Sequence, residues 1–206
     1  AFDLSEKVGL PFMLRPTTRT CHCRADVEIG SVREKNEGPE FIRDVSHRVT
    51  IPAHARKLHP ELLDKIERTR EVFEESAFNS IEGDSAYGII GCGISYAYAK
   101  EALGRLDIEA SLFKLGTLHP LPNKILLDFI SGKEKVLVVE EMEPIVEEQL
   151  KALAFENNLS LDIMGKDFIP RVGELNTSIV KEGISRAFNL EIEERGPYDG
   201  AVELPP

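Results

Sequence analysis

Five consecutive residues, Lys135-Val-Leu-Val-Val139, limit most strongly what this chain can fold into. The run is aliphatic after its first residue and lies between segments that have a helical period. Such a run is typical of a central parallel strand, because both faces of a parallel sheet are covered. Ligands and partners of open parallel sheets meet the carboxyl ends of the strands. Glu140 and Glu141, which follow the run directly, therefore occupy a position where functional groups are expected.

The region from residue 87 to 188 alternates between strand-like and helix-like patterns. Strands are predicted over 87–92, 110–115, 135–139 and 159–164, and helices over 94–106, 123–131, 144–157 and 178–188, with Asn176 as the cap of the last helix. This order predicts an α/β fold, an open and mostly parallel sheet with helices on both faces.

The earlier part of the chain predicts an N-terminal appendage to this domain. Residues 1–9 have the pattern of a helix end with Gly9 as its C-terminal glycine, and Leu10–Leu14 is predicted to be a short strand. Neither can bury an apolar side alone, so residues 1–24 are expected to belong to a domain whose earlier part is absent. Residues 25–86 are expected to be a linker, with a turn at Asn36–Pro39, an amphipathic helix from Pro60 to about Ser76, and a polar connector over 77–86. Residues 189–206 are expected to form a frayed tail.

Composition narrows the classes of function. The net charge of −11 disfavours nucleic acid and anionic membranes as partners, and no apolar run approaches the roughly 20 residues that span a bilayer. The three cysteines are too few and too unevenly spaced for a disulfide framework. We therefore expect a cytoplasmic protein whose cysteines are thiols.

The carboxylate pair has several interpretations. Glu140 and Glu141 could perform acid–base chemistry if one of them were desolvated. Capping of the following helix, or contact with a neighbouring subunit, is the favoured interpretation. Pro120 and Pro122, in Leu118-His-Pro-Leu-Pro122, predict a rigid exit from the second strand that would suit an interface.

Three further motifs contain residue types that can bind ligands. Arg15, Thr17, Thr18 and Arg19 could hold a carboxylate or a phosphate, although an interdomain salt-bridge corner is favoured. Cys21-His-Cys23 lacks a second cysteine pair, so no metal is expected there. Gly91-Cys-Gly93 lies where a phosphate-binding turn belongs, but Tyr96 stands where the dinucleotide motif needs a small residue, which favours a structural role for the glycines.

Several segments together resemble the alpha subunit of indolepyruvate ferredoxin oxidoreductase over most of the chain. They are Leu10-Pro-Phe-Met-Leu-Arg-Pro-Thr-Thr-Arg-Thr-Cys-His22, Leu115-Gly-Thr-Leu-His-Pro-Leu-Pro122, Lys135-Val-Leu-Val-Val-Glu-Glu141 and Pro170-Arg-Val-Gly-Glu-Leu-Asn176. The resemblance implies that residues 1–24 are the end of a pyrimidine-binding domain and 87–188 a transketolase C-terminal-like domain.

The resemblance also implies a parent enzyme that couples oxidative decarboxylation of aryl 2-oxoacids to ferredoxin reduction. That enzyme uses thiamine diphosphate, magnesium, iron–sulfur clusters and coenzyme A. Its magnesium signature and cysteine-rich segment have no counterpart in this sequence, so the chain alone is expected to bind no cofactor and to have no catalytic residue. The implied role is structural, within an oligomer, with a possible active-site wall or interface formed by Arg15, Thr17, Thr18, Arg19, His22, Pro120, Pro122, Glu140 and Glu141.

The sequence is also compatible with two other interpretations. The chain could be a stand-alone α/β domain that binds a small anionic ligand or regulates another protein. It could also be part of a pyruvate-type ferredoxin oxidoreductase, which would share the fold and differ in substrate.

Overall fold

The computed structural model describes residues 1–32 and 41–190, and the chain divides into two compact units, Ala1–Val72 and Phe73–Pro206. The turn predicted at Asn36–Pro39 and all but the first two residues of the predicted tail lie outside the described residues.

The second unit is built on a five-stranded sheet. Its strands are β1 (Ser80–Glu82), β2 (Tyr87–Cys92), β3 (Ser111–Leu115), β4 (Lys135–Val139) and β5 (Asp162–Met164). Their spatial order is β1-β3-β2-β4-β5, in which β1 is antiparallel to β3 and the other pairs are parallel. The prediction of an open, mostly parallel sheet is confirmed.

Helices cover both faces of the sheet, as predicted. They are α5 (Ile94–Leu106), α6 (Asn123–Ile130), α7 (Ile145–Glu156) and α8 (Thr177–Ala187). One apolar core contains buried residues of α5 and α8, and the other contains buried residues of α6 and α7. β4 contributes to both, with Leu137 in the first core and Val138 in the second. This explains why the strand is aliphatic on both of its faces.

The strand order reverses between β2 and β4. β2 leads through α5 to β3 on one side, whereas β4 pairs with β2 on the other side, with Gly91 opposite Val139. The residues that follow this pair, Cys92 and Glu140, lie at the carboxyl edge of the sheet at its switch point, where ligands of open α/β sheets are usually bound.

The polar connector predicted over residues 77–86 is wrong for part of its length. Ser80–Glu82 forms the edge strand β1, in which Ile81 is opposite Phe113 of β3. Three residues are too few to show an alternating pattern, so only pairing with β3 identifies them as a strand.

The first unit contains four helices within its described residues. They are α1 (Phe2–Val8), α2 (Thr18–His22), α3 (Val45–Arg48) and α4 (Pro52–Glu74), whose last two residues belong to the second unit. Gly9 follows α1 in the left-handed conformation with φ 66°, as predicted.

Two predictions for this unit are wrong. Residues 10–14 form no strand, because no neighbouring strand pairs with them in the described structure. Pro60 does not begin its helix but lies inside α4, on an exposed face, two turns after the helix starts at Pro52. An interior proline removes one backbone donor and crowds the carbonyl four residues earlier, yet the helix continues through Pro60 over its 23 residues.

Candidate functional site

The carboxyl edge of the sheet carries a group of buried or half-buried polar side chains that we call the edge cluster. Its members are Cys92 at the end of β2, Glu140 after β4, Glu147 in the first turn of α7, and Lys166 after β5. Of these four residues, the sequence indicates only Glu140 as a candidate site residue.

Glu140 caps helix α7. Its Oε2 accepts a hydrogen bond of 3.0 Å from the backbone N–H of Val146, and its Oε1 accepts one of 2.9 Å from that of Glu147. These two N–H groups belong to the first helical turn, where backbone N–H groups have no hydrogen-bond acceptor inside the helix. The side chain is buried, and burial raises the pKa of its carboxyl, an effect that the two backbone hydrogen bonds oppose. Both carboxylate oxygens therefore hold α7 in place.

Lys166 connects the strand ends. Its Nζ donates to the backbone carbonyl of Glu140, and its backbone N–H donates to Oε2 of Glu147 at 2.9 Å. Partial burial lowers the pKa of the ammonium, while the neighbouring carboxylates of Glu140 and Glu147 oppose that shift. Lys166 thereby ties the segment after β5 to both β4 and α7.

Glu147 is the second buried carboxylate of the edge cluster. Its Oε1 pairs with Nζ of Lys151 at 2.6 Å, one helical turn away. Its other oxygen lies so close to Gly165 that a Cβ on this glycine would be 2.1 Å away. Residue 165 therefore has to be glycine for the carboxylate to reach the backbone N–H of Lys166.

Cys92 completes the edge cluster. Burial and the nearby Glu140 carboxylate raise the pKa of its thiol, while Lys166 opposes the shift. A thiol in such surroundings stays protonated at neutral pH, so Cys92 has the character of a small apolar side chain rather than a nucleophile.

Glu141 holds the loop that follows β5. The side chain is half-buried, and its Oε1 accepts a hydrogen bond of 3.3 Å from the backbone N–H of Leu175. The next residue, Asn176, caps α8 by accepting a bond of 3.0 Å from the N–H of Ile179, which confirms the predicted cap. Glu140 and Glu141 therefore each fix an element that surrounds the edge.

The exit from β3 is held by a residue that the sequence did not reveal. Asn79 is buried, and its Oδ1 accepts from the backbone N–H groups of Gly116 and Thr117 at 3.0 and 3.2 Å. Its Nδ2 donates to the carbonyl of Phe73 at 2.9 Å and to Oγ1 of Thr117 at 2.8 Å. All four hydrogen-bonding positions of the amide are thus used.

The segment after the exit from β3, Leu118–Pro122, contains both prolines, and we call it the proline corner. The peptide bond between His119 and Pro120 is cis, and Pro120 and Pro122 are both buried, whereas Leu118 and His119 are exposed. An exposed interface at this corner would therefore involve Leu118 and His119 more than the prolines. The contribution of Pro120 and Pro122 to an interface stays a prediction.

The Gly91-Cys-Gly93 turn has the structural role that was favoured. A Cβ on Gly91 would lie 2.4 Å from the Cα of Tyr96, so β2 and α5 approach each other at a distance that only glycine permits. Gly93 has φ 58° and precedes the first residue of α5. The tyrosine packs where the third small residue of a dinucleotide motif would be.

The arginine motif lies in the first unit. Thr17 caps the short helix α2, with its Oγ1 accepting from the N–H of Thr20 at 3.4 Å. Arg15, Thr18, Arg19 and His22 are all exposed, while Thr17 is half-buried. The motif and the edge cluster thus belong to different compact units.

The described residues do not fit a magnesium–diphosphate site. Across residues 1–32 and 41–190, no three His, Cys, Asp or Glu side chains lie together in a metal-binding group. Both buried carboxylates of the edge cluster are already bonded to backbone N–H groups or to a lysine. A magnesium ion needs several oxygen ligands with octahedral geometry, which these groups do not present.

Across residues 1–32 and 41–190, no helix is long and apolar enough to cross a membrane.

Comparison with known proteins gives a consistent set of relatives. A family model described as indolepyruvate oxidoreductase domain matches residues 80–182. The indolepyruvate oxidoreductase subunit IorA of Thermococcus kodakarensis is 47% identical over 199 residues, covering 93% of this chain and 31% of that protein. The subunit of the same name from Archaeoglobus fulgidus is 42% identical over 205 residues, covering 98% of this chain and 32% of that protein. The chain spans about a third of the length of these relatives.

Among solved structures, one match is a 2-oxoglutarate:ferredoxin oxidoreductase from Magnetococcus marinus with 2-oxoglutarate, coenzyme A and succinyl-CoA bound. Its TM-score is 0.47 at 18% sequence identity, and the match covers 67% of this chain and 24% of that one.

Proposed function

The chain belongs to the indolepyruvate oxidoreductase family, and we propose that it is the part of such a subunit that packs and assembles the enzyme. The parent enzyme is then a 2-oxoacid ferredoxin oxidoreductase that acts on indolepyruvate-type substrates. Thiamine diphosphate, magnesium and iron–sulfur clusters are held by its other parts, with coenzyme A as cosubstrate and ferredoxin as electron acceptor. A cytoplasmic location is part of this proposal.

The observation that carries the proposal is the hydrogen bonding of Glu140. A general acid or base has to exchange its proton with the substrate, at a hydrogen-bonding distance from it. Both oxygens of Glu140 instead accept from the first turn of α7. Glu141 and Glu147 likewise bind the backbone of neighbouring loops. The polar groups of this edge are arranged to fix the loops in space, which is what a packing surface requires.

Exposed apolar side chains next to these loops support an assembly role. Leu118 follows β3, Ile145 begins α7 after β4, and Val172 lies in the loop after β5; they are 45%, 60% and 88% exposed. Apolar side chains on loops held by buried polar contacts favour association with another protein surface. We propose that this edge packs against other domains or subunits of the oxidoreductase.

The arginine motif has a supporting role in this proposal. Arg15, Thr17, Thr18, Arg19 and His22 belong to a segment that we assign to the end of a pyrimidine-binding domain. Guanidinium and hydroxyl groups bind carboxylate or phosphate oxygens well. They would form a wall of a site that other segments of the enzyme complete.

A chimera tests the proposal. The region of the Thermococcus kodakarensis IorA subunit that aligns with this chain is replaced by this chain, and the subunit is assembled with its partners. We expect indolepyruvate-dependent dye reduction by the chimera and none by the 206-residue chain with thiamine diphosphate and magnesium. Turnover by the isolated chain would contradict the proposal, and so would a chimera that assembles fully but binds no thiamine diphosphate.

A further inference from the structure

A cavity of about 680 Å³ lies at the amino edge of the sheet, the edge opposite to the edge cluster. It is bounded by the end of α5, by the loop that leads into β3, and by the turn between β1 and β2. We propose that this cavity binds an organic cation, an ammonium or guanidinium group carried on an apolar stem. The proposal is independent of the role of the chain in an oxidoreductase.

The wall of the cavity includes an apolar part. Leu103, Ile108, Ala110 and Leu112 all line it. Gly104, on the same helix as Leu103, lines it as well, and a Cβ on this glycine would meet no atom within 4 Å. The volume is in the range of roughly 300–1,000 Å³ that small-molecule sites have. An apolar stem of a ligand would be buried against these residues.

The polar part of the wall is negative. Asp84, Asp107 and Glu109 line the cavity. Asp84 lies 3.8 Å from Nζ of Lys133, and Glu82 pairs with Lys100, the basic residue of the lining, at 2.7 Å. Within residues 1–32 and 41–190, Asp107 and Glu109 have no such ion pair, so these two carboxylates leave the wall negative, which favours a positive ligand and repels an anion.

The direction of α5 strengthens this preference. The helix ends at Leu106, and Asp107 follows in the left-handed conformation with φ 53°. The carbonyl groups of a last helical turn lack partners and place a partial negative charge at that end, which favours cations. Because Leu103, Gly104 and Asp107 line the cavity, this end of the helix faces the ligand space.

The test is a nuclear magnetic resonance titration of the 206-residue chain with phenethylammonium, and with 2-phenylethanol as its uncharged counterpart. We expect saturable shifts of the amide signals of residues 82–85 and 103–110 with phenethylammonium, and a weaker affinity at high salt. A blocked Gly-Arg-Gly tripeptide shows whether a polypeptide side chain can supply the same cation. Equal shifts with 2-phenylethanol, or no saturable shift with either cation, would overturn the proposal.

Two variants locate the binding. Gly104→Phe fills the cavity at a helical position where glycine is unfavourable, so the chain still folds, and we expect the affinity for phenethylammonium to fall more than tenfold. Asp107→Asn with Glu109→Gln removes two charges, and asparagine tolerates the left-handed conformation; we expect roughly fivefold weaker binding. Asp128→Asn, on the exposed face of α6, is the matched control and leaves binding unchanged. Binding by Gly104→Phe as tight as by the parent chain would place the ligand elsewhere.

Discussion

Oε1 of the buried Glu140 lies 2.9 Å from the backbone nitrogen of Glu147 and accepts its hydrogen bond, so that β4 and α7 are joined where the strand ends. Glu140→Ala leaves this N–H and that of Val146 without a partner. We expect a loss of about 3 kcal/mol in the free energy of unfolding. Glu140→Gln keeps one acceptor oxygen and should cost about 1 kcal/mol. Urea denaturation at neutral pH measures both changes.

Glu148→Gln is the matched control, because Glu148 lies in the same helical turn but is exposed. Its effect should be at most about 0.5 kcal/mol. Equal effects at positions 140 and 148 would show that Glu140 does not cap the helix.

The raised pKa of Glu140 predicts how stability depends on pH. In the folded chain the pKa of the Glu140 carboxyl lies above its usual value of 4.5, because burial disfavours the charged form. Its contribution to stability is full below the pKa of the unfolded chain and is lost as pH rises through the folded pKa. Relative to Glu140→Gln, the parent chain should therefore become less stable as the pH rises above about 4.5, the usual pKa of the carboxyl. Urea titrations of both proteins at several pH values test this, and a difference that grows with pH would refute it.

The contact of Gly91 with Tyr96 predicts a steric effect. In Gly91→Ala the new methyl group meets the backbone of α5 at 2.4 Å, and backbone atoms cannot move aside easily. We expect a loss of about 3 kcal/mol. Gly104→Ala is the control, since it adds the same group to open space within a helix and should stabilise the chain by up to about 1 kcal/mol. Thermal unfolding compares the two, and similar midpoints would contradict the close approach.

We expect the backbone conformation at the exit from β3 to depend on the side-chain amide of Asn79. Asn79→Ala leaves the N–H groups of Gly116 and Thr117 unpaired, and we expect a cost of about 3 kcal/mol. Asn157→Ala, which removes a single bond to Leu153 on an exposed helix end, should cost about 1 kcal/mol or less. Amide hydrogen exchange shows whether protection at residues 116 and 117 is lost in the first variant only. Retained protection there would show that other contacts hold the exit.

The fold of the second unit was largely predictable from the sequence. β2 and β4 are continuous apolar runs because both of their faces are buried, and the helices between strands carry their own period and caps, as Asn176 shows. In the first unit, Leu10–Leu14 has strand-like composition, but none of the described residues forms a strand that pairs with it. Pro60 resembles a helix start, although the helix begins eight residues earlier. Local composition does not reveal either fact.

The edge cluster was only partly predictable for a different reason. Capping by Glu140 was among the interpretations, since its donors follow within seven residues. The bond between Glu147 and the N–H of Lys166 spans 19 residues. Outside the edge cluster, the bond between Asn79 and Thr117 at the exit from β3 spans 38. Such pairs form only after the strands are in place, so no local pattern marks them. Each bond has a glycine nearby in the sequence, Gly165 for the first and Gly116 for the second. A Cβ at Gly165 would clash with Glu147, and one at Gly116 would clash with the backbone of Phe78.

Under the proposed function, this chain would assemble an oxidoreductase without holding its cofactor. Isothermal titration calorimetry of the purified 206-residue chain with thiamine diphosphate in the presence of magnesium tests it most directly. We expect no saturable heat at millimolar cofactor, because the carboxylates of the edge cluster are bonded to the backbone or to lysines and no described residues form a metal-binding group. Saturable binding with a micromolar dissociation constant would contradict the proposed function.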